Sequence, residues 1–135
     1  ASADDPALSY GDAVAAFQSF EAGDAVYFCR GGAIAIDSAA GAWVNTSCRA
    51  DAPCTVTGYE PPWGSGDEDA PILRQSAAGN GFSLSDPGNA AHEEGYVFSE
   101  LTLECEVCAD TEGDGFFLYN DIDDVLIENV TVVQG

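Results

Sequence analysis

The stretch Tyr96-Val-Phe-Ser-Glu-Leu-Thr-Leu-Glu104 is echoed by Val125-Leu-Ile-Glu-Asn-Val-Thr-Val-Val133. Each reads as two short apolar strands joined by a two-residue polar corner, Ser99-Glu100 in the first and Glu128-Asn129 in the second. Position 125 answers position 96, an offset of 29 residues, and a period of roughly 20–50 residues marks a solenoid or array. One such repeat cannot bury its apolar face alone, so stacking supplies the core. The expected arrangement is parallel, with Val97, Phe98, Leu101 and Leu103 lying near Leu126, Ile127, Val130 and Val132.

Outward from this pair, the chain is short strands separated by turn residues. The strand-like segments are Ala25–Phe28, Ala33–Ile36, Thr55–Gly58, Ile72–Arg74, Phe82–Leu84 and Phe116–Tyr119. Gly, Pro, Asn and Asp cluster between them, as in Glu60–Asp69 and Asp86–Asn89. Helical periodicity is confined to Tyr10–Ala22, where Ala13, Val14, Ala16, Phe17 and Phe20 recur at helical spacing. Ser9 or Asp12 can cap this helix, and Gly23-Asp24 stops it.

Several segments carry a resemblance. Gly11-Asp-Ala-Val-Ala-Ala-Phe17, Ala22-Gly-Asp-Ala-Val-Tyr-Phe28 and Gly31-Gly32 resemble the N-terminal cap and first coil of pectate-lyase-like right-handed parallel β-helix proteins. Ala52-Pro-Cys-Thr-Val-Thr-Gly-Tyr59 resembles the next coil, and Asp114-Gly-Phe-Phe-Leu118 with Val125–Val132 resembles later ones. The resemblance implies an all-β right-handed parallel β-helix with a short N-terminal capping α-helix. Residues 1–135 then form a single domain, 1–23 being the N-terminal segment and capping helix and 24–135 the coils. A ladder of corner asparagines is frequent in that superfamily. Asn129 occupies such a corner, and Glu100 in the preceding coil is expected to break the ladder there.

The charge balance is extreme: 24 acidic residues face three basic ones, Arg30, Arg49 and Arg74, for a formal net charge of -21. Nucleic acid needs Lys or Arg to replace its counterions and would be repelled. An anionic membrane surface is disfavoured for the same reason, and no apolar run is long enough to insert. Cations are the natural partners of such a surface. The start, Ala1-Ser-Ala-Asp-Asp-Pro6, is what cleavage of an export signal would leave. The five cysteines point the same way: Cys48/Cys54 and Cys105/Cys108 can each close a small loop as a disulfide, which leaves Cys29 over. Zinc is the rival reading of Cys105-Glu-Val-Cys108, but no second CxxC supplies the remaining ligands.

The sharpest chemical signal is Asp110-Thr-Glu-Gly-Asp-Gly-Phe-Phe-Leu-Tyr-Asn-Asp121. Oxygen ligands at positions 1, 3 and 5, glycine at 6 and an acid at 12 follow a calcium loop of the EF-hand type. Asp110, Glu112, Asp114 and Asp121 are the expected metal ligands and calcium the expected cofactor. The rival reading is a solvated acidic turn running into a strand at Phe116–Tyr119. Further acidic clusters, Asp121/Asp123/Asp124 and Asp67-Glu-Asp69, read as solvated loops. Trp43, Trp63 and Tyr59 could form a platform for sugar stacking, against the alternative that they cover the core.

No catalytic residue is assigned. The resemblance implies that lyases of this fold use Lys or Arg to remove a proton, and lysine is absent. The Asn-Thr-Asp and Asp-Asp motifs of the glycosidases are missing in their family context, and His92 falls in a loop. Asn45-Thr-Ser47 and Asn129-Val-Thr131 match glycosylation sequons. The leading expectation is an exported, non-catalytic structural, surface or matrix module, stiffened by cations and stacking end to end with copies of itself into filaments. The alternatives are the N-terminal part of a secreted polysaccharide lyase or glycoside hydrolase, and a carbohydrate-binding module with polysaccharide as partner.

Overall fold

Alternation of apolar and polar residues in the strand segments gives each strand one face to bury, and parallel pairing sets these faces side by side toward one interior. The computed structural model describes residues 9–37, 40–76, 79–85, 95–106, 114–119 and 122–134. Its elements are one helix, α1 (Tyr10–Gln18), and eight strands: β1 (Ala25–Cys29), β2 (Ala33–Ala35), β3 (Cys54–Tyr59), β4 (Ile72–Gln75), β5 (Phe82–Ser85), β6 (Tyr96–Cys105), β7 (Phe116–Tyr119) and β8 (Val125–Gln134).

Every pairing between these strands is parallel. One column runs β1-β3-β6-β8 and a second β2-β4-β6-β8, because β6 and β8 each span both columns. β5 and β7 form a separate two-stranded sheet, which Trp43 joins by a parallel bridge to Leu84. The large sheet curls where β6 and β8 turn, at Glu100 (φ 55°) and Asn129 (φ 51°). These are the two polar corners expected from the sequence. Positive φ in a non-glycine residue is uncommon and favours Asn. Gly58 of β3 lies against the first corner, where a Cβ would come within 2.5 Å of the Glu100 carbonyl oxygen.

The 29-residue echo is a strand register. Val97 pairs with Leu126, Phe98 with Ile127, Leu101 with Val130 and Leu103 with Val132. The ladder of asparagines is interrupted at Glu100, as expected, and the Asn129 amide donates there to the Glu100 carboxylate at 2.7 Å instead.

Side chains on the inner face converge on an aromatic cluster. Phe82 lies 4.9 Å from Phe98 and stacks on Phe116 at 5.1 Å, and Trp43 lies 5.1 Å from Phe82. Helix α1 closes this cluster at the β1 end. Ser9 caps it by accepting from the Asp12 amide, and Tyr10, Ala13, Val14 and Phe17 are its buried face. Phe17 meets Trp43, Tyr96 and Phe98 edge-on or tilted. The helix ends at Gln18, short of the expected Ala22. There the buried Asn45 amide donates to the carbonyls of Phe17 and Phe20, satisfying acceptors that a helix terminus leaves open. The Asn45 sequon is therefore occupied by a structural role.

Cys48 and Cys54 form the expected disulfide, both fully buried. Cys105 is also disulfide-bonded; its expected partner Cys108 lies outside the described residues. Cys29 is free.

Removing the ring that joins α1 to the strands should leave a cavity. Phe17→Ala is expected to cost about 3–5 kcal/mol, read as a lower urea midpoint in equilibrium unfolding. A variant that unfolds at the wild-type midpoint would take α1 out of the core.

Candidate functional site

Among the described residues, those singled out from sequence do not converge. Asp110, Glu112 and Asp121 lie outside the described residues, as does His92. Asp114 is exposed, and its backbone rather than its carboxylate is engaged: its amide donates to Asn80 Oδ1 at 3.1 Å and its carbonyl accepts from Gly81 at 2.7 Å. Among the described residues no three His, Cys, Asp or Glu side chains gather as a metal site.

Trp43 offers no face to a sugar. It is 0% exposed, ringed by Tyr10, Phe17, Phe82 and Phe98, and its indole N–H donates to the Tyr10 hydroxyl at 2.9 Å. That hydroxyl in turn donates to the Gly81 carbonyl, and burial pushes its pKa up to about 12. Trp43 is thus a core residue, the alternative left open by the sequence. Trp63 is 46% exposed. Tyr59 is half-buried and meets Tyr27 edge-on at 5.6 Å, and Tyr27 is itself exposed. Its hydroxyl accepts from the Cys29 thiol at 3.5 Å, and this contact raises the phenol's pKa.

The most organised polar group surrounds Arg30, at the turn between β1 and β2. The guanidinium donates to the Glu68 carbonyl at 3.0 Å and pairs with the Glu100 carboxylate at 3.6 Å. Glu100 is the corner residue that accepts from Asn129, so one row of side chains ties the β1–β2 turn to β6 and β8. The loop after β3 is drawn in beside it. The Glu68 carboxylate accepts from the Ser65 amide, the Ser65 hydroxyl and the Gly66 amide at 2.6–3.0 Å. Glu60 accepts from the same Gly66 amide at 3.0 Å.

Glu60 and Glu68 both accept from the Gly66 amide, and their pKa values move apart. The Glu68 carboxylate raises that of Glu60, while the Glu60 carboxyl, followed by the Ser65 amide, lowers that of Glu68 to about 2. A displaced pair of carboxyls suggests acid and base roles, but here the two converge on one backbone amide, that of Gly66. Glycosidase carboxyls stand about 5 Å apart or more, leaving room for the scissile bond. The Glu60–Glu68 pair is therefore a clasp within the loop. Sequence reading missed Glu60 because the acid lies eight positions before Glu68, across two prolines and two glycines.

The second row of charge lies on the other column. Arg74 of β4 pairs with Glu104 of β6 at 3.0 Å and with Glu106 at 3.6 Å. Arg49 pairs with Asp51 at 3.3 Å, with both side chains exposed. A cleft of about 170 Å3 opens beyond this row, lined by Gln75, Leu103, Glu104, Asp114 and Val132 among others. Comparison of the chain with protein families, with curated proteins and with solved structures finds no match. No described helix is long and apolar enough to cross a membrane.

The clasp has a defined pH window. Glu60, with its raised folded pKa, stabilises the loop at low pH, and this is lost as pH rises through that value. Glu68, with its depressed pKa, contributes at neutral pH and loses this only as pH falls through about 2. The two contributions together hold the loop tightest above about 2 and below the raised value of Glu60. The Ser65 and Gly66 amide resonances should titrate above the ordinary glutamate range. Glu60→Gln, which keeps a donor toward Glu68, should abolish that step and leave both amides in their low-pH positions. A wild-type midpoint at the ordinary glutamate value would show that Glu60 is not raised and that the clasp is absent.

Proposed function

We propose that this chain is an exported, non-catalytic structural module of a cell surface or extracellular matrix, built as a right-handed parallel β-helix of the pectate-lyase-like kind. In-register parallel pairing across β1-β3-β6-β8 and β2-β4-β6-β8 supports the architecture. The Cys48–Cys54 disulfide supports an oxidising compartment.

The observation that carries the non-catalytic reading is the fate of the arginines. With no lysine in the chain, they are its only cationic candidates for lyase chemistry. Arg30 is held by Glu68 and Glu100, Arg74 by Glu104 and Glu106, and Arg49 by Asp51. A guanidinium keeps its proton under nearly all conditions. Arg30 and Arg74 tie strand to strand across the sheet, which is a structural use of charge.

Cation binding belongs to the same proposal, with Asp110, Glu112, Asp114 and Asp121 as calcium ligands. Oxygen-rich loops of this pattern suit a hard cation, and a chain of net charge -21 gains from any bound positive ion.

Two measurements test this reading. Millimolar calcium should raise the melting temperature, and Asp114→Ala should remove most of that rise. A rise that sodium chloride reproduces at equal ionic strength, and that the variant keeps, would reduce the effect to screening. Incubation with polygalacturonate, alginate and neutral polysaccharides should yield neither unsaturated nor new reducing ends. Turnover that is lost in Arg30→Ala or Arg74→Ala would replace the structural reading with an enzymatic one.

A further inference from the structure

Helix α1 has nine residues, and isolated helices shorter than about 12–15 residues are marginal in water. It depends on what it packs against. Its apolar face, Tyr10, Ala13, Val14 and Phe17, is buried. Three further contacts hold its last turn and exit, and they come from one short segment, 45–54. The Asn45 amide donates to the carbonyls of Phe17 and Phe20 at 2.7 and 2.8 Å. The Ala52 carbonyl accepts from the Gly23 amide at 3.0 Å. Cys54 Sγ lies 3.6 Å from the Glu21 carbonyl oxygen.

This segment is weakly held by its own contacts. Thr46, Ser47, Arg49, Ala50 and Asp51 are exposed. Between the two cysteines the loop closes through the Arg49–Ala52 bridge, with hydrogen bonds of 3.0 and 3.5 Å, and through the exposed Arg49–Asp51 ion pair. Water competes for both. The covalent closure is the Cys48–Cys54 bond, six positions apart and fully buried. Breaking it returns to the loop the chain entropy that the bond had removed. The cysteines flank the exposed residues 49–51, so a local opening of that loop uncovers the bond without unfolding the strands.

We propose that the Cys48–Cys54 disulfide is a redox latch on the helical cap. With the bond made, segment 45–54 grips the end of α1, and Phe17 stays over Trp43, Tyr96 and Phe98. With the bond broken, the segment leaves, α1 loses its end contacts and undocks, and those rings open to solvent. The strands stay paired, since their hydrogen bonds run between strands and not through α1. The reductant is a dithiol. The S–S bond breaks, Cys48 and Cys54 each gain an electron and a proton, and the dithiol leaves as its own disulfide. This inference stands on the packing of α1 and not on export, cation binding or the absence of catalysis.

Hydrogen exchange tests the latch on three samples: the oxidised protein, the protein in dithiothreitol, and the Cys48→Ala/Cys54→Ala double variant. In the last two, the α1 amides should exchange faster by on the order of tenfold to a hundredfold, as loop-closure entropy for a ring of this size implies. The β6 amides should exchange as they do in the oxidised protein. A Trp63→Phe background leaves Trp43 as the sole tryptophan, and its emission should shift to the red on reduction. Cys105→Ala, which breaks the disulfide of Cys105, should leave α1 protected.

An α1 as protected in the double variant as in the oxidised protein would overturn the proposal. So would release of α1 by Cys105→Ala. Loss of β6 protection together with that of α1 would overturn it as well, because the bond would then hold the whole fold and not the cap.

Discussion

Parallel pairing in register sets like above like. Val56, Phe98 and Ile127 occupy one inward row, and Leu73, Leu103 and Val132 another. An apolar residue on the inner face of one strand therefore lands on an apolar residue of the next. The interior is built from such rows, with Trp43, Phe82 and Phe116 closing the side formed by β5 and β7. A one-residue slip would turn every inner side chain of a strand outward. The corners at Glu100 and Asn129 resist such a slip, because each needs its left-handed backbone at a fixed place.

The same register governs the charges. Parallel stacking would set carboxylate over carboxylate wherever acidic residues recur, a severe difficulty for a chain with 24 of them. Two devices relieve it. Opposite or neutral partners are placed over the acids, as Arg74 is beside Glu104 and Asn129 beside Glu100. Where two acids approach each other, at Glu60 and Glu68 in the loop after β3, they gather the loop's backbone amides around them. Exposed ion pairs contribute little singly.

A stack of strands has two ends, and this one treats them unequally. α1 plugs the β1 end with Tyr10, Val14 and Phe17, and the buried hydroxyl and indole groups there find partners in one another and in the Gly81 carbonyl. The β8 end keeps its apolar row open.

Much of the architecture was legible in the sequence because it is local and repetitive. The echo of Tyr96–Glu104 in Val125–Val133 determined the parallel register, the alternation determined which residues face inward, and the Cys48/Cys54 spacing determined a loop that could close. The helix was legible from its spacing, though not its end, since the Asn45 side chain that terminates it comes from 25 residues or more along the chain. Other features depended on which distant residues the coiling of the chain brings together. Only the tertiary structure decided that Trp43 is buried rather than a sugar platform, because its surroundings come from α1, β5 and β6. Only it decided that Glu60 would approach Glu68, that Arg30 would reach Glu100, and that Glu100 would accept from Asn129. Sequence spacing sets periodicity and local closure; contacts between side chains that are far apart along the chain exist only once the strands have been stacked.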